Sequence, residues 1–184
     1  MTAGSPQEVA VRIGELHRLR PGSCGSLVAV GLGSCAGIAV IDEATGACAL
    51  AHVFLPECPE GGGRPDAGAG TYADVAIPAL VGVVLDAAGR SSARLVAIVA
   101  GGAQMFGTRP GSDVGTRNIA AVRSALALAG VRMAGEDVGG SHGRTMRVDV
   151  TDERVVVNVR VVGSDQRELW ASRPIDAAGR RAAA

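Results

Sequence analysis

Two residues of this sequence, Cys35 and His52, have the side chains needed for thiol chemistry on a carbonyl group. Cys35 ends the stretch Gly31–Cys35 (GLGSC), where a glycine-rich turn can expose a nucleophile and aim backbone N–H groups at a developing oxyanion. A nearby histidine favours the thiolate, which attacks a carbonyl carbon and leaves a thioester that water hydrolyses. The pair therefore predicts acyl-transfer chemistry, provided that the fold brings the two side chains together.

A β-hairpin centred on Glu43–Gly46 would bring them together. The segments on both sides of this turn are apolar and rich in β-branched residues, and Gly46 can supply the positive φ that such a turn needs. Counting outward from the turn places Gly37 opposite His52, so the imidazole projects on the Cys35 face as a diagonal neighbour, roughly 7–8 Å away at the backbone. A register slip of one residue would turn His52 to the opposite face.

The hydrophobic patterns along the remaining chain predict one domain of mixed α and β structure. Pro78 conflicts with the first helix and predicts a kink or a displaced start. A glycine- and proline-rich loop is predicted at 59–70, and a poorly ordered tail at 163–184. The predicted strands are 9–13, 27–30, 36–42, 47–55, 94–100, 131–136, 145–150 and 154–162, and the predicted helices are 71–88 and 117–129.

Charge and composition exclude several classes of function. The chain of 184 residues has 18 basic and 18 acidic side chains, so no nucleic-acid partner is expected. All basic residues other than histidine are arginine, which excludes Schiff-base chemistry and the lysine-dependent phosphate loop. The uncharged run at 21–41 is rich in glycine and serine with apolar parts of strand length only, so no membrane insertion is expected.

The cysteines indicate the compartment. Charged residues occur throughout the first twenty positions, which is unlike a cleavable signal. We therefore expect reduced thiols and a cytoplasmic location. Cys24, Cys48 and Cys58 are expected to be structural, and the same interpretation stays open for Cys35, because free cysteine is among the most buried residue types.

Two other sites are disfavoured by spacing. Gly31, Gly33 and Gly37 miss the dinucleotide fingerprint by one residue and precede a strand instead of a helix. A metal site on Cys48, His52 and Cys58 fails because positions 48 and 52 of one strand are roughly 13 Å apart. We therefore expect no cofactor and no metal.

The order of short motifs along the chain resembles that of the CheD family, the chemoreceptor glutamine deamidases of bacterial and archaeal chemotaxis. The matching pieces are GLGSC at 31–35, AHVFLP at 51–56, YADVA at 72–76, AGGAQMF at 100–106, GTRN at 115–118, EDVGG at 136–140 and Arg144. They span about residues 9 to 162, and we expect the deamidase domain to occupy 1–162.

The resemblance implies a cysteine-dependent protein-glutamine glutaminase with Cys35 as nucleophile and His52 as catalytic histidine. Its substrates would be glutamines of methyl-accepting chemotaxis receptors, converted to glutamate and ammonia. Backbone N–H groups of Gly33 and Ser34 would bind the oxyanion. The implied fold is α+β, with stacked helix and mixed-sheet layers like the cytotoxic necrotizing factor-type deamidases, and a CheC-type phosphatase is an implied partner.

One position departs from the family pattern. Members commonly carry threonine six residues before the cysteine, where this chain has Ala29. Ser26, Ser34, a backbone carbonyl or water would have to replace that hydroxyl, or activity would be reduced. Two alternatives to the deamidase therefore stay open. One is a weakly active or inactive module that binds the phosphatase or the receptor, and the other is a cysteine peptidase or transamidase.

Overall fold

The fold is known here from a computed structural model, which describes residues 7–63, 66–89, 94–105 and 113–174. The elements in chain order are β1 (Gln7–Ala10), β2 (Leu16–Leu19), β3 (Gly25–Leu32), β4 (Ala36–Asp42), β5 (Cys48–Val53), α1 (Ala73–Ala88), β6 (Leu95–Gly101), α2 (Val114–Leu128), β7 (Arg132–Val138), β8 (Arg144–Val150), β9 (Val155–Val161) and β10 (Gln166–Ala171).

The described strands form two mixed five-stranded sheets. The outer sheet has the order β1-β3-β8-β9-β10, and the central sheet has the order β2-β5-β4-β6-β7. One apolar core lies between the two sheets, and a second lies between the central sheet and the helices. The expected α+β domain of stacked helix and mixed-sheet layers is therefore confirmed.

The central sheet is covered on both faces, which explains why its middle strands are continuous apolar runs. Every residue of β4 and β5 is buried. Ile38 and Val40 face the helices, while Ala39 and Ile41 face the outer sheet. Such two-sided burial favours small and β-branched side chains over an alternation of polar and apolar ones.

The two helices pack against the central sheet through one apolar stripe each. In α1 the buried stripe includes Ile77, Leu80 and Val84, and Gly89 ends the helix in the left-handed conformation with φ 64°. Pro78 lies inside α1, which begins at Ala73. The helix therefore starts before the proline and continues through it. No helix among the described residues is long and apolar enough to cross a membrane.

Two strands differ from the sequence prediction. β2 was not predicted, and β10 lies within the tail that was expected to be poorly ordered from residue 163. That expectation is wrong for Gln166–Ala171, which pairs antiparallel with β9, while Leu169 and Trp170 pack against the inter-sheet core. Both are short edge strands whose polar residues interrupt the apolar pattern that would predict a strand. Residues 175–184 of the predicted tail lie outside the described part.

Candidate active site

The predicted hairpin register is confirmed. β4 and β5 pair antiparallel with Gly37 opposite His52, and the Asp42 N–H donates to the carbonyl of Ala47 at 2.9 Å. Gly46 has φ 78°, and the Asp42 carboxylate accepts a bond from the Thr45 hydroxyl at 2.7 Å. The turn chemistry of this loop therefore holds the strand that leads to His52 in register.

The imidazole of His52 lies on the inter-sheet side of the central sheet. Leu50 and Cys48, on the same alternating face of β5, belong to the core between the sheets, and so does Cys35. The predicted common face is thus confirmed. The space above Gly37 is filled by Leu32 and Met146, because a Cβ there would lie 2.8 Å from Leu32 and 3.1 Å from Met146.

Two hydrogen-bonding facts define the state of His52, whose side chain is only 1% exposed. Its Nδ1 lies 3.3 Å from the carbonyl oxygen of Val11. A carbonyl only accepts, so Nδ1 carries the proton in the neutral ring and Nε2 keeps a lone pair. That Nε2 atom is buried and has no hydrogen-bond partner among the residues that the structure describes.

The surroundings favour a neutral imidazole. Burial lowers the pKa of His52, and the Val11 carbonyl and the charge of Glu15 only partly oppose that effect. The backbone of His52 is held on both sides: its N–H donates to the carbonyl of Glu15 at 3.1 Å, and its carbonyl accepts from Gly14 at 2.9 Å. The ring is therefore a positioned neutral base.

Cys35 is also buried, with 6% of its surface exposed. Burial raises the pKa of its thiol, while its own backbone N–H partly opposes the rise. Within the described part of the chain, no hydrogen bond joins the sulfur to His52. A thiol with a raised pKa stays protonated near neutral pH.

The glycine turn before Cys35 removes one predicted oxyanion donor. The Gly33 N–H donates to the carbonyl of Gly31 at 2.8 Å, and Gly31 has φ 75°. Because that N–H is already hydrogen-bonded within the turn, Gly33 does not fit the role of oxyanion donor. Ser34 and Cys35 remain the candidates in this turn.

The loop after β6 forms backbone hydrogen bonds with the same turn. Gly102 N–H donates to the carbonyl of Cys35 at 2.8 Å, and Ala103 N–H donates to the carbonyl of Gly33 at 2.7 Å. Met105 covers Gly33, where a Cβ would lie 3.1 Å from its Cγ. The turn that leads into Cys35 is therefore held by two backbone hydrogen bonds from one loop, one at Gly33 and one at Cys35.

A buried arginine supports that loop in turn. Arg144, 7% exposed, pairs with Asp137 at 2.9 Å and donates to the carbonyls of Gly139 and His142. The carbonyl of Gly140 accepts from the N–H of Gln104, within the loop after β6. The Arg144 cluster thus connects the β7–β8 loop to the segment that holds Cys35.

Sequence reasoning missed Asn118 as a site residue. This residue of α2 is fully buried and donates from Nδ2 to the carbonyls of Ser34 at 2.8 Å and Phe54 at 3.0 Å. Its neighbours on the buried stripe, including Ile119 and Val122, are apolar. A polar side chain within an apolar helical stripe was the signal that could have identified it.

Ala29 is fully buried in the inter-sheet core, opposite Met146 of β8. Of the groups considered as substitutes for a threonine hydroxyl, the Ser26 hydroxyl is engaged elsewhere, since it donates to Asp149 at 2.6 Å. The group that contacts the imidazole is the carbonyl of Val11. A backbone carbonyl, one of the substitutes considered, therefore serves as the hydrogen-bond acceptor of the imidazole.

The four cysteines are free thiols with different environments. Cys48 is completely buried, and burial raises its pKa to about 12, so it is chemically inert at neutral pH. Cys24 is exposed and Cys58 is partly exposed. Cys35 alone combines a glycine turn with a histidine on the same sheet face.

Comparison with known proteins places these observations in a family. A sequence model described as CheD chemotactic sensory transduction matches residues 54–159, starting two residues after His52. A probable chemoreceptor glutamine deamidase CheD of Symbiobacterium thermophilum is 43% identical over 164 residues, which is 87% of this chain and 96% of the relative. The chemoreceptor glutamine deamidase CheD of Thermotoga maritima is 37% identical over 145 residues, which is 79% of this chain and 88% of that protein. A probable chemoreceptor glutamine deamidase CheD of Archaeoglobus fulgidus is 38% identical over 165 residues, which is 89% of this chain and 98% of that protein.

Proposed function

This chain belongs to the CheD family, and from that premise we propose that it is a protein-glutamine deamidase acting on chemoreceptors. It would hydrolyse side-chain amides of glutamines in methyl-accepting chemotaxis receptors to glutamate and ammonia. The observation that carries the proposal is the combination of 43% identity to a protein so named with a cysteine and a histidine on one face of a hairpin.

The proposed reaction begins with proton transfer from Cys35 to Nε2 of His52. The thiolate attacks the carboxamide carbon, and backbone N–H groups of Ser34 and Cys35 bind the resulting oxyanion. The imidazolium then donates its proton to the departing amine, so that ammonia leaves and a thioester remains. Neutral His52 takes a proton from water, and the hydroxide attacks the thioester and breaks its C–S bond. The imidazolium then returns the proton to the Cys35 thiolate, so that glutamate is released and the free thiol is restored.

The electrostatics of the site support this order of events. A neutral imidazole, whose pKa burial lowers, is ready to accept a proton. A thiol whose pKa burial raises stays protonated near neutral pH. Proton transfer would therefore accompany substrate binding, which limits side reactions of a free thiolate with oxidants.

Substrate would approach past the exposed residues around the turn. Phe54 is 43% exposed and Met105 is 46% exposed, although both are large and apolar. Met105 contacts Gly33, and the Phe54 carbonyl shares Asn118 with Ser34, so both residues lie at the edge of the site. They suit contact with the aliphatic part of a glutamine or with its neighbours on a receptor helix.

Deamidation would create a carboxylate on the receptor surface, which methylation can then neutralise. The enzyme would in this way produce the sites that adaptation modifies. A CheC-type phosphatase partner, a cytoplasmic location and a fold similar to the cytotoxic necrotizing factor-type deamidases are further parts of the proposal, and they rest on the family resemblance.

A binding module with little or no activity is the second candidate. Ala29 and the missing hydrogen bond between Cys35 and His52 favour it. In that case the chain would engage the receptor or the phosphatase without hydrolysing glutamine.

One experiment separates the two. Wild type, Cys35→Ala and His52→Ala are incubated with a purified receptor signalling fragment, and the mass increase of about 1 Da per deamidated glutamine is followed by peptide mass spectrometry. The enzyme predicts conversion by wild type and a loss of at least about a thousandfold in both variants. Equal conversion in all three samples would remove the enzyme, and no conversion with retained phosphatase binding would support the module.

A further inference from the structure

One amide side chain joins the chain segment that enters Cys35 to the segment that leaves His52. Asn118 uses both hydrogens of Nδ2, one for the carbonyl of Ser34 and one for the carbonyl of Phe54. Ser34 immediately precedes the proposed nucleophile, and Phe54 follows the proposed base by two residues. The contact therefore spans the two halves of the proposed site from α2.

The bond to Ser34 has a directional consequence. The carbonyl of Ser34 and the N–H of Cys35 belong to one planar trans peptide unit, in which the two groups point in opposite directions. When Asn118 holds the carbonyl from one side, the N–H must point to the other side. In the same sense, the backbone N–H of Cys35 lowers the pKa of the thiol and so partly opposes the rise that burial causes.

We propose that Asn118 is a positioning residue of the deamidase, which aims the Cys35 N–H at the oxyanion and keeps the ends of the Cys35 turn and of β5 at a constant separation. The inference rests on the proposed function and adds a residue to it. Asn118 touches neither the substrate nor the reacting atoms, and it acts through the peptide unit between Ser34 and Cys35.

The unpartnered oxygen of Asn118 argues against a purely stabilising role. Oδ1 is buried without a hydrogen-bond partner in the described part of the structure, which opposes folding. An apolar residue at this place in the stripe would avoid that cost, as Ile119 and Val122 do. A locally unfavourable group that is held between two site segments is typical of functional positions.

The test compares three variants of the full chain. Asn118→Asp has nearly the same volume but presents a carboxylate to two carbonyls, and Asn118→Ala removes the side chain. Val122→Ala is the matched control, because Val122 is equally buried one turn later on α2 and its apolar side chain can donate no hydrogen bond to either site segment. Folded fractions are measured by circular dichroism in urea, and rates are expressed per folded molecule, so that partial unfolding does not hide the result.

The first readout is steady-state deamidation of the receptor fragment. Removing one oxyanion donor from a hydrolase costs on the order of 100- to 1000-fold in kcat, and a misdirected donor should cost less. We expect kcat to fall by about 10- to 100-fold in both Asn118 variants, with KM within about threefold of wild type. Val122→Ala should keep kcat within about twofold.

The second readout is the pH dependence of alkylation of Cys35 by iodoacetamide, resolved from the other cysteines by peptide mass spectrometry. Losing the aimed N–H should move the alkylation profile of Cys35 to higher pH in the Asn118 variants and leave it unchanged in Val122→Ala. Unchanged kcat and an unchanged profile in both Asn118 variants would overturn the inference, as would an equal loss in Val122→Ala. If wild type itself converts no glutamine, the proposed function fails, and the alkylation profile still decides the role of Asn118.

Discussion

Replacing Gly101 by alanine should displace Cys35 without touching either proposed catalytic side chain. A Cβ at Gly101 would lie 2.2 Å from the carbonyl oxygen of Cys35. Real Cβ atoms essentially never lie closer than 3.0 Å to such an atom. Since the obstructing atom belongs to the backbone, no rotamer change relieves the contact, and the Cys35 peptide must move by roughly 1 Å. A displacement of about 1 Å in an active site can cost about 100-fold in rate.

Gly89→Ala is the control for this substitution. Gly101 has φ 110° and Gly89 has φ 64°, so alanine is strained at both, by about 1–2 kcal/mol of unfolding free energy. A Cβ at Gly89 meets nothing within 4 Å. We therefore expect both variants to lose stability in urea titrations, with the larger loss in Gly101→Ala, whereas only Gly101→Ala should lose kcat in the receptor deamidation assay. Comparable kcat values per folded molecule in the two variants would refute the reasoning.

Three further predictions concern His52, Ala29 and the cysteines. The pKa of His52 is lower in the folded protein than in the unfolded chain, so its contribution to the free energy of unfolding is complete above the unfolded pKa of about 6.5 and is lost as the pH falls below that value. Urea midpoints measured between pH 5 and 7.5 should show this loss of stability, and the loss should be smaller in His52→Gln. Ala29→Thr should lower the free energy of unfolding by about 1–3 kcal/mol, because residue 29 lies in a fully packed core. Its kcat should stay within about threefold of wild type, because the Val11 carbonyl already holds the imidazole; a tenfold or greater gain in kcat would show that the missing hydroxyl limits the rate. Cys48 should resist iodoacetamide at pH 8 in the folded protein while exposed Cys24 reacts, and peptide mass spectrometry that finds both labelled at similar rates would contradict the burial of Cys48.

The local parts of the fold were predictable because short-range rules control them. The β4–β5 hairpin has a turn with glycine at its end and two apolar arms, so its register followed from the turn length. The edge strands β2 and β10 were missed because their partners are distant in sequence or their residues are mostly polar. Leu16–Leu19 becomes a strand only through pairing with Cys48–Ala51, and β10 only through pairing with β9.

The sequence by itself determined the chemical identities and the local geometry: a cysteine after a glycine turn, a histidine opposite Gly37, and the face on which both project. Only the tertiary structure decided that the Val11 carbonyl orients the imidazole, that the Gly33 N–H is already engaged, and that Asn118 connects the two halves of the site. The physical reason is that strand alternation and turn geometry are properties of neighbouring residues. Hydrogen-bond partners and desolvation, by contrast, come from segments that packing brings together across tens of residues.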